Sequence, residues 1–297
     1  MHFSEKLKNL RKQFNFSQEQ LAEKISVSRQ AITKWETGGG LPDIENLMAI
    51  AALFSVSMDE LLSDEKLVHA AAVDHVYESV TEYDIMRPSH FDICLPGALE
   101  VMVSVTDNEK LRVRLASSVL QMLAQDYKVQ LDEHQNRFDV NIRRVGKSSE
   151  AEGKAALLVY ISLPAKYCND VELSAVADIF RFKGLNCPCE LDGRARKVYL
   201  ENMRGSVSLN CNTDLEIFAD ELPVSLEVNQ INATSVLYVP FDAKYFTKIK
   251  GRSNKIRFAV DGEPVDFLVD VDVDKRVELT GMNAELLIDH RREKYIV

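Results

Sequence analysis

The sequence predicts an α + β chain of more than one domain: a short unit of five helices at the N-terminus, then a mainly β unit of stacked short strands. Three observations carry this. The first 63 residues space their apolar side chains three and four apart and punctuate them with helix caps. From about Tyr83 the spacing changes to alternation of period two, as in Val101, Val103, Val105 and Leu111, Val113, Leu115. From Leu157 onward short apolar strands return after roughly every eight to ten residues, separated by turn residues. The expected organisation is a helical domain over 1–63, a linker over 64–89 and a β-rich repeat domain over 90–297.

The helices follow in order. Phe3, Leu7 and Leu10 with Phe14 make the apolar face of the first. Ser17-Gln-Glu-Gln20 fits a capping box, in which the serine hydroxyl accepts from the third amide and the glutamine reaches back to the serine amide, so the second helix begins at Ser17 and carries Leu21, Ala22 and Ile25 inward. Ser28 caps a third, over Arg29 to Thr37, which Gly38 to Gly40 stop. Pro42 and Asp43 open a fourth, with Leu47, Ile50, Ala51 and Phe54 on one face, and Ser57-Met-Asp-Glu60 starts a short fifth.

In the remainder, a helix is expected at Ser117 to Gln125. The strands read LLVYISLP, VELSAVADI, LNCPCEL, KVYLENM, SVSLNC, LEIFA, VSLEV, SVLYVP, KIRFAV and FLVDVDV. Taking alternate ones, Cys187 and Cys189, Val207 and Leu209, and Leu226 and Val228 recur at intervals of roughly twenty residues. That interval fits a two-strand unit stacked as a solenoid or prism, although a sandwich gives similar strand spacing.

Composition bounds the function. Hydrophobic residues make up 46% and charged residues 28%, so the chain folds almost throughout. No apolar run is long enough to span a bilayer and the opening MHFSEKLKNLRKQ lacks the apolar core of an export signal, which points to the cytoplasm and to no membrane insertion. Five cysteines in such a chain are expected as reduced thiols. The net charge of -10 is uneven: residues 1–42 hold seven Lys and Arg against four Asp and Glu, while residues 64–297 hold 29 against 38. A polyanion would respond to the first field and be repelled by the second.

The pair of helices joined by a tight turn, Ser17 to Ile25 and Arg29 to Thr37, has the arrangement in which the second enters the major groove of DNA. SQEQLAEKISVSRQAITKWETGGGLPDIENLMAIAALFSVSMDELL resembles the Cro/CI-type, or XRE, helix-turn-helix family over residues 3–62. The resemblance lies in Ser-Gln opening the first helix of the pair, Leu-Ala on it, Ser-Arg-Gln opening the second, Trp-Glu at its end and Leu-Pro after the loop. It implies a lambda-repressor-like fold, with base contacts at Arg29, Gln30, Thr33 and Lys34. The side-chain chemistry agrees: Gln pairs with adenine, Arg or Lys with guanine, and Thr packs on a thymine methyl. Ile32 and Trp35 face the other helices. By the same resemblance Gln18, Ser28, Thr37 and Gly38 meet DNA phosphates, although the three glycines offer only backbone amides. Glu36 is read as structural.

Residues from about His90 to Gly262 are similar to an adhesin-type family of β repeats, through SLPAKY, the short strands with Gly or Asn turns, and YVPFDAKY. That similarity implies a fold and no chemistry. Cys187-Pro-Cys189 with Cys211 lacks the paired C-x-x-C of a zinc site and reads as buried thiols. Asp270-Val-Asp-Val-Asp274 lacks the glycine and the distal glutamate of a calcium loop and reads as a strand. His2, His69, His75, His90, His134 and His290 sit in no catalytic frame, so neither an enzyme nor a cofactor is expected. The expected partners are an operator in duplex DNA, a second copy of the chain, and an effector or protein at the β unit. The alternative is a scaffold whose β repeats bind a protein or envelope component, with DNA binding secondary.

Overall fold

The computed structural model describes residues 3–13, 16–25, 27–54, 77–266 and 274–292. The chain divides into two compact units between residues 73 and 74. Among the described residues no helix is long and apolar enough to cross a membrane.

The first unit contains α1 (Phe3–Gln13), α2 (Gln18–Lys24), α3 (Arg29–Glu36) and α4 (Ile44–Phe54). α2, α3 and α4 each begin where a cap satisfies a free amide of the first turn. The Ser17 hydroxyl accepts from the Gln20 amide at 3.1 Å while the Gln20 side chain accepts from the Ser17 amide at 2.8 Å. Ser28 accepts from the Ala31 amide at 3.2 Å, and Asp43 from the Asn46 amide at 2.9 Å. The helices close on one core of Phe3, Leu7, Leu10, Leu21, Ala22, Ile25, Ile32, Trp35, Leu47 and Ile50. Phe14 and the fifth helix expected at Ser57 lie outside the described residues.

The second unit is built mainly from parallel strands in two sheets, with antiparallel pairings at β1–β4, β4–β7, β5–β6 and β16–β17. It runs β1 (Tyr77–Asp84), β2 (Ser89–Cys94), β3 (Ala98–Thr106), β4 (Lys110–Ser117), α5 (Leu123–Asp126), β5 (Tyr127–His134), β6 (Arg137–Arg144), α6 (Glu150–Ala156), β7 (Leu158–Pro164) and β8 (Cys168–Lys183). There follow β9 (Cys189–Arg194), β10 (Lys197–Glu201), β11 (Ser206–Cys211), β12 (Glu216–Ala219), β13 (Ser225–Ile231) and β14 (Thr234–Pro240). The last are β15 (Phe246–Ile249), β16 (Lys255–Val260), β17 (Glu263–Val265), β18 (Arg276–Met282) and β19 (Glu285–Arg291). One sheet has the order β1-β4-β7-β3-β8-β10-β12-β14-β19-β16-β17. The other has the order β5-β6-β2-β8-β9-β11-β13-β18-β15.

From β8 to β16 the chain alternates between the sheets, so each coil there contributes one strand to each. Cys189 pairs with Val207 and Val207 with Leu226, and Leu191 with Leu209 and Leu209 with Val228; the interval of about twenty residues is the length of one coil. In the other sheet Val198 pairs with Ile217 and Ile217 with Leu237. All of these side chains are buried, one layer above the next. At ~4.8 Å between strands every coil covers the apolar face of its neighbour, and each enclosed Leu or Val contributes about 1.5–3 kcal/mol. Coils turn where side chains would collide. A Cβ at Gly281, with φ +117°, would stand 1.9 Å from the Gln230 carbonyl oxygen of the adjacent coil. Asn232 and Asn283 take φ near +54° at matching corners, and the Asn283 amide donates to the Asn232 side chain at 3.0 Å.

Several elements differ from the sequence reading. β1 falls inside the stretch expected as linker, because its alternation starts at Tyr77 and its partner is the β4 edge, a contact that local pattern does not reveal. The helix expected over Ser117 to Gln125 is only the four residues of α5: Ser117 ends β4 and its hydroxyl accepts from the Val119 and Leu120 amides in a turn. α6 is a helix the sequence reading did not expect; its capping box, Ser149 to Glu152, makes both of its hydrogen bonds. The coils do not stack in chain order. β2 and β3 lie between the β6/β7 coil and β8, and β18 and β19 lie between the β13/β14 coil and the β15/β16 coil. FLVDVDV and most of Asp270 to Asp274 lie outside the described residues.

Candidate nucleic-acid interface

α2 and α3 form the helix-turn-helix pair, and α3 divides cleanly into two faces. Ile32 and Trp35 are buried in the core of the first unit, while Arg29, Gln30, Thr33 and Lys34 are exposed on the other side. Helical spacing explains the division: 29, 30, 33 and 34 recur at three and four, as do 32 and 35 with the flanking apolar positions. Trp35, 7% exposed, fixes the helix from within and leaves the polar face to solvent.

Beneath that face is a polar junction that ties three helices together. The Glu36 carboxylate accepts from Arg11 Nε at 2.5 Å, Arg11 Nη2 at 2.9 Å and Gln18 Nε2 at 2.8 Å. Arg11 also donates to the Phe16 carbonyl at 2.9 Å. Gln18 Oε1 in turn accepts from the Thr33 hydroxyl at 3.1 Å. A chain of hydrogen bonds thus runs from α1 through the α3 end and the α2 start to the exposed face of α3. Burial pushes Glu36 up, but hydrogen bonds from Arg11 and Gln18 and the charges of Arg11 and Lys8 outweigh it and hold the carboxyl below its usual value. Glu36 is therefore a buried anion with matched donors, consistent with its structural reading.

Of the residues expected at phosphates, Ser28 caps α3 as an acceptor and leaves its hydroxyl proton free of that bond. The Gln18 carboxamide is engaged with Glu36 and Thr33. The Thr37 hydroxyl donates to the Thr33 carbonyl at 2.8 Å, and the Gly38 and Gly39 amides donate to the carbonyls of Trp35 and Lys34 at 3.2 and 2.8 Å. These three close the end of α3. The glycines have a steric purpose: a Cβ at Gly39 would meet Lys34 Cγ at 3.1 Å and one at Gly40 would meet Lys34 Cε at 3.3 Å, so their absence lets the lysine stem lie along the loop. Sequence reasoning missed Arg11 as the partner of Glu36, since the pair is 25 residues apart and no periodicity joins them.

The cysteines of the β unit are free thiols. Cys187, Cys189 and Cys211 are buried, Cys189 opposes Val207 and Cys211 opposes Gly193, while the neighbour of Cys187 is Cys168. Among the described residues no three His, Cys, Asp or Glu side chains come together as metal ligands.

Known proteins resemble the chain in two separate parts. A helix-turn-helix family pattern matches residues 7–61. The HTH-type transcriptional activator BcrR of Enterococcus faecalis is 52% identical over 75 residues, 25% of this chain and 37% of that protein. The HTH-type transcriptional regulator YqaE of Bacillus subtilis, itself uncharacterized, is 41% identical over 103 residues, 34% of this chain and 89% of that one. The chain thus spans little more than a third of the first relative and most of the second. A candidate cell adhesion protein from Clostridium sporogenes, known from its crystal structure, aligns with 72% of this chain and 98% of its own at 11% identity and a TM-score of 0.38, too distant to carry an argument about the β unit.

Proposed function

The chain belongs to the family of HTH-type transcriptional regulators, and from that premise we propose that it is a sequence-specific DNA-binding regulator whose α3 reads an operator in the major groove. The observation that carries this reading is the division of α3: four adjacent side chains with base-reading chemistry stand exposed on a helix whose other face is locked into the core. Gln30 would pair with adenine N6 and N7, Arg29 and Lys34 with guanine O6 and N7, and Thr33 would pack on a thymine methyl. Thr33 is held in place by Gln18, so its direction is set before DNA arrives. The Ser28 hydroxyl would donate to a phosphate oxygen, since its cap uses it only as an acceptor. Gln18, Thr37 and Gly38 would reach phosphate only by exchanging internal hydrogen bonds.

One small helical unit covers a short half-site, and specific affinity in such systems comes from two units on half-sites about one helical turn apart, so the working form is a homodimer. The acidic second unit would repel phosphate and suppress binding to unrelated DNA.

The test is fluorescence anisotropy of the full chain on labelled DNA from upstream of its own gene and on a scrambled duplex, at two salt concentrations. Preferential binding to the first, with a steep fall as salt rises, is the expected result. Equal affinity for both duplexes, with Gln30→Ala and Arg29→Ala unchanged on each, would refute the assignment of α3.

A further inference from the structure

Cys168 opens β8, and Cys187 lies just before β9 on the adjacent coil. Between them the chain makes one complete turn of the stack. β8 departs from regular pairing at its first residues: Ser89 opposes Cys168 but His90 opposes Asp170, so Asn169 is an extra residue. The bulge turns Cys168 toward the interior, where it packs against the core and brings its Sγ to 3.4 Å from Cys187 Sγ. Neighbouring strands are ~4.8 Å apart, inside the range over which a disulfide spans two backbones. Cys187 is 7% exposed and Cys168 is half-buried, so the pair sits where the core meets solvent.

We propose that Cys168 and Cys187 form an oxidisable dithiol, which a peroxide closes to a disulfide that cross-links two successive coils of the β unit. The two thiols differ in a way that suits the step. A hydrogen bond from Cys168 favours the Cys187 thiolate, and the same bond, with burial, holds Cys168 protonated. The Cys187 thiolate attacks one oxygen of hydrogen peroxide, the O–O bond breaks, and the departing hydroxide takes a proton from solvent as water. The Cys187 sulfenic acid so formed is then attacked by Cys168 sulfur. The S–S bond forms, the S–O bond breaks, and the hydroxide leaves as water with the Cys168 proton. Two thiols are oxidised by two electrons and one peroxide becomes two waters. Cys189 and Cys211 stay out of this chemistry because burial raises both, Cys211 to about 12.

The experiment is peptide mapping of the full chain after treatment with hydrogen peroxide, without reductant. Trypsin places Cys168 in residues 167–181 and Cys187 with Cys189 in residues 184–194. The expected product is these two peptides joined, about 2 Da lighter than their sum, separated again by a thiol reductant. It should persist in Cys189→Ala and vanish in Cys187→Ala. The unaltered chain alone decides the main point should a variant fail to fold. Absence of the joined peptide while Cys94 is oxidised, a bridge between Cys187 and Cys189, or survival of the bridge in Cys187→Ala would each overturn the proposal.

Discussion

Replacing Glu36 by alanine should destabilise the first unit severely, and the structure sets the size. The carboxylate is 2% exposed and its Arg11 partner 12%. The substitution removes the acceptor of three hydrogen bonds at 2.5, 2.9 and 2.8 Å, stranding a largely buried guanidinium and the Gln18 amide. Removing one partner of a buried ion pair costs about 3–5 kcal/mol. A unit of some sixty residues has a total stability of roughly 3–9 kcal/mol, so Glu36→Ala should bring it close to its folding midpoint. Arg11→Ala should cost a similar amount. The double substitution leaves no uncompensated charge and should cost less than the sum by about 1–3 kcal/mol. Trp35 is the single tryptophan and lies in this core, so its fluorescence during urea unfolding reports the first unit alone. The DNA affinity of Glu36→Ala should fall on operator and random sequence alike, in proportion to the folded fraction. Single substitutions costing under about 1 kcal/mol, or strict additivity in the double, would refute the reasoning. The pH dependence has a definite sign. The folded carboxyl sits below the ordinary glutamate value of 4.5, so the stabilisation is complete above that pH and is lost as pH falls through the folded value.

Other expectations address reading, pH and packing. Gln30→Ala and Arg29→Ala should each cost about 1–3 kcal/mol on the operator, flatten the preference for it over mismatched sites, and leave urea unfolding of the first unit unchanged, as measured by anisotropy and Trp35 fluorescence. His290 is buried, accepts at Nε2 from the Tyr245 hydroxyl at 2.7 Å and donates from Nδ1 to the Phe241 carbonyl at 3.2 Å; burial lowers its pKa, so the unfolded chain takes up the proton first and thermal stability of the β unit should fall as pH drops below 6.5. Replacement of His290 by glutamine should flatten that dependence between pH 7 and 5. Gly281→Ala forces a Cβ to within 1.9 Å of the Gln230 carbonyl oxygen at φ +117° and should cost about 2–4 kcal/mol by chemical denaturation, whereas Gly262→Ala, with open space around its Cβ, pays only the strain of φ +86°.

What the sequence disclosed depended on the range of the interaction. The caps at Ser17, Ser28 and Asp43 act over three residues, and each was visible as a residue type at a fixed offset. The two faces of α3 follow from helical spacing alone. The coil length was visible because Cys189, Val207 and Leu226 fill equivalent places and must all be apolar. By contrast, β8 passes from one sheet to the other as one continuous strand, and its buried positions shift there from Val171, Leu173, Ala175 and Ala177 to Phe180 and Phe182, an offset that the neighbouring apolar Val176 and Ile179 hide in the sequence. The Arg11 to Glu36 pair and the pairing of β1 with β4 join residues far apart in sequence, and only the fold brings them together.

The position of β18 and β19 bears on how the β unit is made. In a solenoid stacked in chain order, each coil can dock as it leaves the ribosome, and losing the last one merely exposes a new end. Here β15 and β16 emerge first, and the parallel pairings that attach them to the stack are to β18 and β19. They lack these partners until β18 and β19 have also been made and have entered between them and β13 and β14. A premature stop before Arg276 would therefore remove two coils from the stack rather than one and leave the sheet edges at β13 and β14 open. The stack is thus fastened by a segment later in the chain than the strands it holds: residues 276–291 act as a wedge whose arrival decides whether β15 and β16 join the wall.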